Sequence, residues 1–158
     1  MAKSKIKMLL AAILLAALAV RVLAGVWWQA RLPAGQRFAF ADSESYWILA
    51  QTIVHGQPFQ FGEDGVQVFR TPGYPTVLAA TFWLAGSDDP PVIWARAAGA
   101  LLGMFSVVGV WGLGRMLFDE STGMLAAGMA AVFPEAIAPS VFVLSEAPFC
   151  PLRRRSSC

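Results

Sequence analysis

The stretch MAKSKIKMLLAAILLAALAVRVLAGVWW places Lys3, Lys5 and Lys7 ahead of 21 residues, Met8 to Trp28, in which Arg21 is the single charge. About 20 apolar residues are enough for a helix to cross roughly 30 Å of hydrocarbon. No open strand or loop could satisfy its backbone there. Two readings fit the run. Val22-Leu23-Ala24 before Gly25 resembles a signal-peptidase site behind an apolar stretch, Met8 to Val20, of signal-peptide length. Alternatively the whole run spans the membrane and Trp27 and Trp28 close it at an interface. The apolar character of the remaining chain favours the span, with the lysines holding the amino terminus in the cytoplasm and residue 29 emerging outside. Arg21 then falls in the outer half of the span, where a charge costs about 3 kcal/mol on insertion scales. It is expected to snorkel outward or to face a polar cavity.

The rest of the sequence repeats this pattern. Of 158 residues 57% are hydrophobic and 14% charged, against about 25% charged in a soluble domain. The net charge is +2 with scattered Lys and Arg, which excludes a nucleic-acid-binding stripe. Cys150 and Cys158 have no metal-ligand spacing. Val92 to Phe118 forms a second apolar run, with Arg96 near its start and Arg115 near its end. Gly123 to Leu144 forms a third, broken by Pro134, Glu135 and Pro139, and the residues DEST make a short turn between them. Both runs are rich in Gly and Ala, which lets helices approach closely in lipid. Tyr74 to Ala85 is apolar over only 12 residues, too short to cross as a helix and suited to an interfacial or re-entrant segment.

These features predict an all-α polytopic membrane protein. Three spans, at about 8–28, 92–118 and 123–144, accompany an external loop, 29–91, that holds a juxtamembrane helix and the short segment. With three crossings Asp42, Glu63, Asp64, Asp88, Asp89 and Glu146 all lie outside and Arg115 inside, as the positive-inside tendency prefers. A fourth crossing by the 71–86 segment would move Glu146 to the cytoplasm, opposite Asp42. The juxtamembrane helix is expected over Ser43 to Val54, with Asp42 or Ser43 as N-cap and Gly56 at its end. Tyr46, Ala50 and Ile53 would share a face, with Trp47 and Val54 alongside, on the membrane surface.

Bland readings exist for each polar residue. Asp42 and Glu44 suit a helix amino terminus, where acids complement the dipole. Arg70 can anchor a loop to head groups, Arg96 can snorkel from a span end, Glu146 can be simply solvated, and His55 sits at a helix end. The tryptophans are mostly interfacial anchors.

The order of segments carries more than any one residue. A span is followed by ADSESYWILAQTIVHGQPF, then RTPGYPTVLAATFWLAG, then ARAAGALLGMFSVVGVWGLGRMLFDESTGMLAAGMAAVFP and VLSEAPF. This arrangement resembles the amino-terminal part of the GT-C integral-membrane glycosyltransferases, among them protein O-mannosyltransferases and lipid A aminoarabinose transferases. The resemblance implies that Asp42, in Asp-x-x-x-Tyr, is the essential acid of the first external loop. It implies that Glu146 in LSEAPF is the acid at the outer end of a later span. The Arg-x-Pro-x-Tyr-Pro element, Arg70 to Pro75 and including Tyr74, would lie near a sugar donor carried on polyprenyl phosphate in a bacterial inner membrane. Glu44 has no matching position. In that chemistry Asp42 takes a proton from an acceptor hydroxyl on a protein, lipid or glycan, and Arg70 or Arg96 clamps the departing phosphate. Glu146 would orient a substrate or hold a divalent ion with Asp42. Two acids do not define a metal site, and metal dependence stays open.

The last residues, PLRRRSSC, break the pattern, because three arginines replace the next expected apolar segment. Residues 150–158 therefore read as an aberrant tail from a frameshift or truncation, and the chain alone as an inactive fragment of a longer transferase. Two other classes remain: a small non-catalytic membrane subunit packed through Gly and Ala, and a piece of a transporter with charges along its path.

Overall fold

The computed structural model describes residues 3–60 and 70–143, and these form six α-helices without a strand. Helix α1 covers Lys3–Gln29, α2 Ala41–Val54, α3 Gly73–Ala85, α4 Ile93–Leu117, α5 Glu120–Val132 and α6 Pro134–Phe142. By length and composition α1 and α4 can each cross a membrane, and α5 with α6 makes a third span if the pair counts as one, bent by 46° at its break. The chain is thus an all-α integral membrane protein.

Helices α1 and α4 run antiparallel. Ala17 packs with Val107 near the middle, and Arg96 at the start of α4 reaches the carbonyl of Gly25 near the end of α1. The α5–α6 pair returns along α4. Gly114 meets Gly123 at one end and Gly99 meets Ser140 at the other, so closely that a Cβ on Gly114 would lie 2.8 Å from the Gly123 Cα. Small residues thus set the approach between α4 and the broken span, as expected where lipid supplies no hydrophobic drive between helices.

Pro134 explains the break. It has no N–H to give the carbonyl of Ala130, four residues back, and its ring disfavours a continuous helix. Phe133 turns extended (φ −68°, ψ 119°) and α6 restarts with Pro134 in its first turn, a position that tolerates proline. The turn before α5 is tighter than the DEST reading suggests, since Asp119 is already the N-cap and accepts from the Thr122 N–H at 2.7 Å.

The connection between α1 and α4 holds two helices, α2 and α3, that pack side by side in the same direction: Tyr46 meets Tyr74 near their amino-terminal ends, and Gln51 and His55 near the end of α2 reach Asp88 just past the end of α3. Tyr46, Trp47 and Ala50 from α2 and Leu78, Ala79 and Phe82 from α3 share one core with Val92, Ala95 and Val143. Fully burying Leu78 and Phe82 contributes about 1.5–3 kcal/mol each. Val143, the last described residue, belongs to this core, so the broken span ends at the same end of the bundle as α2. Helix α3, 13 residues long, is too short to cross and packs on α2 and the start of α4.

Four expectations need correction. Helix α2 starts at Ala41 with Phe40 as N-cap, in extended backbone and without a side-chain cap. Neither Asp42 nor Ser43 caps it, because both are engaged elsewhere. The Tyr46–Trp47–Ala50 face is buried against α3 and not laid on a membrane surface. Gly56 does end the helix, at φ 63°, with Gly56 N–H donating to Ile53 and Gln57 N–H to Thr52.

The third correction concerns Arg21 and Arg96, which do not snorkel: they are 1% and 5% exposed. Arg21 donates to the carbonyls of Ala17 at 3.0 Å and Ala131 at 3.1 Å, and longer to Ala130 and Ala136. Ala130 and Ala131 belong to the last turn of α5, whose carbonyls have no helical partner and carry the negative end of the dipole. Arg96 donates to Val141 at 3.1 Å and Gly25 at 3.0 Å. The fourth is Trp47, a buried hydrogen-bond donor to Asp89 at 2.9 Å and no interfacial anchor.

Candidate functional site

Asp42 is the second residue of α2 and Arg70 lies just before Pro72, the residue that leads into α3. Because the two helices pack in parallel, their amino-terminal ends bring these side chains together, and Arg70 Nη2 donates to Asp42 Oδ1. Four residues on from each lies a tyrosine, Tyr46 after Asp42 and Tyr74 after Arg70. The two rings meet edge to face with centroids 5.3 Å apart, and the Arg70 guanidinium carbon stands 5.3 Å from the Tyr46 ring centre. Tyr46 is buried beneath the pair. Burial, and secondarily Tyr46, pushes the Tyr74 phenol above its ordinary value, so it stays protonated as a neutral group.

The carboxylate is the open side of this cluster. Its side chain is 47% exposed against 23% for Arg70. A ligand approaching from outside the bundle meets Asp42 first and Arg70 behind it. Ser43, next to Asp42, is buried and donates to the carbonyl of Phe142 at 2.6 Å. That bond ties the end of α6, where carbonyls lack helical partners, to the first turn of α2 and so to the Asp42–Arg70 pair.

Of the residues the sequence offers for a site, Asp42, Arg70 and Tyr74 come together. Arg96 donates to backbone carbonyls and not into this cluster. Glu146 lies outside the described residues, as do Glu63, Asp64 and the 150–158 tail; Val143 is the nearest described residue to Glu146 in sequence and shares the core with Tyr46. Glu44 is exposed and turned to another surface, a shallow depression of about 510 Å³ walled by residues 35–41, Ile48 and Gln51. Among the described residues no three His, Cys, Asp or Glu side chains converge to hold a metal ion.

A second polar cluster fastens the α2–α3 pair. Arg37 grips both oxygens of Asp89 at 2.6 Å, Trp47 adds its indole N–H, and His55 Nε2 lies 3.0 Å from Asp88. The Arg37 hydrogen bond holds the Asp89 carboxyl below its ordinary range, with Trp47 helping. The sequence reading has Tyr46 only as the last residue of Asp-x-x-x-Tyr, without a role at the site, and misses Arg37 as a partner. The first had a signal, since Asp42–Tyr46 and Arg70–Tyr74 are both spaced four apart. The second had none, because Arg37 and Asp89 lie 52 residues apart.

No protein-family model matches the chain, and neither a curated protein nor a solved structure matches it.

Proposed function

We propose that the chain carries the acid–arginine corner of a GT-C-like glycosyltransferase that uses a sugar on polyprenyl phosphate at the extracytoplasmic face of a bacterial inner membrane. The observation that carries the reading is the Asp42–Arg70 pair at the open end of the bundle. Transfer of a glycosyl group needs a base near the acceptor hydroxyl and a cation near the phosphate. The acceptor oxygen attacks the anomeric carbon as the bond from that carbon to the phosphate oxygen breaks. The hydroxyl proton passes to the Asp42 carboxylate and polyprenyl phosphate leaves against Arg70. The Tyr46 ring lies beneath the guanidinium, and Tyr74 packs edge to face against Tyr46.

The test is sugar transfer by membranes of cells expressing the protein from its own gene, supplied with polyprenyl-phosphate-linked sugars. Asp42→Asn should lower the rate by about 10²- to 10⁴-fold. Undiminished transfer by that variant would remove Asp42 as the base.

One observation favours a transporter piece instead: the broken α5–α6 helix, a form found at transporter binding sites. In this chain Arg21 fills the break with donations to the carbonyls of Ala130, Ala131 and Ala136, which leaves the helix ends there engaged by protein. The transferase reading is the stronger of the two.

A further inference from the structure

Asp42 and Arg70 are asked to do different work in the proposed reaction, yet in this structure they neutralise each other. A guanidinium given to a carboxylate has fewer donors left for a phosphate. We infer that the pair is a resting latch: a phosphate monoester borne on lipid, the form in which the carrier leaves the proposed reaction, draws Arg70 away from Asp42. The inference rests on the transferase reading for the purpose of the latch, but the exchange of partners stands on the geometry alone.

The chemistry favours the exchange. A phosphate monoester carries about 1.5–2 negative charges near pH 7 and three acceptor oxygens, against one charge and two oxygens on Asp42. The guanidinium presents five donors in a planar fork and suits either partner. Arg70 enters the site from the stretch before α3, whereas Asp42 is fixed in the first turn of α2 beside Ser43, whose hydroxyl is bonded to Phe142. The arginine side chain is the long, flexible member and the carboxylate the anchored one. The Tyr46 ring offers Arg70 a face 5.3 Å from its guanidinium carbon, a surface along which the cation can shift while keeping a favourable aromatic contact. The half-exposed pair is also weak enough to break, since exposed ion pairs contribute little.

The experiment measures phosphate binding by the full chain in phosphatidylcholine nanodiscs, by calorimetry. The probes are inorganic phosphate, short-chain phosphatidic acid and a short-chain polyprenyl monophosphate. Asp42→Asn releases Arg70 and should tighten phosphate binding roughly five- to tenfold. Glu44→Gln removes the same charge from the same helix turn without touching Arg70, and should leave affinity within about twofold, which separates a latch from general repulsion. In Asp42→Asn/Arg70→Ala the gain should vanish. Helical circular dichroism of each variant checks the fold, and Asp42→Ser serves in place of Asp42→Asn if that one is lost. A gain confined to the polyprenyl phosphate supports latch and transferase reading together. An equal gain with phosphatidic acid keeps the latch and removes this support for the transferase. Unchanged or weaker binding in Asp42→Asn, an equal gain in Glu44→Gln, or no binding of any probe overturns the latch.

Discussion

Arg21 on α1 donates to the carbonyl of Ala131 in the last turn of α5 at 3.1 Å, and among the described residues no carboxylate lies within ion-pair distance of it. Its charge is met by the negative end of a helix that Pro134 has cut short. The helix break and the buried cation explain each other: proline leaves carbonyls without N–H partners, and the arginine supplies them.

Replacing Arg21 with Met should therefore act in two opposite directions. Insertion of α1 on its own becomes easier by about 3 kcal/mol. The assembled bundle loses its donors to Ala17 and Ala131, at about 1–3 kcal/mol where buried carbonyls go unpaired. Translocon insertion of the isolated span checks the first and unfolding of the purified protein in mixed micelles the second. A variant that inserts better and also unfolds later would show that the carbonyl clamp contributes nothing.

Gly103 makes the room for that side chain. A Cβ there would lie 2.5 Å from Arg21 Nε and 3.0 Å from its Cδ, so Gly103→Ala must push the guanidinium off its carbonyls. The expected loss is about 1–3 kcal/mol. In the background of Arg21→Met the same alanine should cost markedly less, a coupling that a double-mutant cycle in micelles measures directly.

The contact between α4 and α5 is less forgiving, because the atoms in the way are backbone. A Cβ on Gly123 would come 2.7 Å from the Trp111 carbonyl oxygen and 2.9 Å from the Arg115 nitrogen, whereas one on Gly128 in the same helix meets nothing within 4 Å. Gly123→Ala should lower stability by about 1–3 kcal/mol, and Gly128→Ala should leave it unchanged or slightly raise it through helix propensity. Thermal unfolding of the two variants side by side reads the difference.

Much of this architecture is legible in the sequence, and what is not has identifiable causes. The runs beginning at Met8 and Val92 announce their helices by length alone, and the shortness of Tyr74 to Ala85 marks α3 as a helix that does not cross. Pro134 signals an interruption, though not that Pro139 would be accommodated inside α6. The fates of Arg21 and Arg96 depend on which carbonyls a distant helix leaves unpaired, and that is a property of the assembled bundle. The α2 N-cap was misplaced because an extended Phe40 opens the helix with no side chain to advertise it. At the site, Asp42, Arg70 and Tyr74 were on the page as separate residues. Their meeting follows only once α2 and α3 pack side by side in parallel.

The α2–α3 pair carries a pH dependence through Asp89. Its folded carboxyl lies below its ordinary value, chiefly because Arg37 donates to it, with Trp47 adding a second bond. A depressed folded pKa means the contribution is fully present above the unfolded value, about 3.9, and is lost as pH falls through the lower folded value. Both partners are largely exposed, 52% and 40%, so solvent screening keeps the contribution within about 1 kcal/mol. Unfolding measured at about pH 6 and again well below the carboxylate range should show wild type losing its advantage over Asp89→Asn on acidification, while Arg37→Gln resembles Asp89→Asn at the higher pH. A wild-type advantage that persists unchanged at the lower pH would mean the Arg37–Asp89 bond does not couple proton binding to folding.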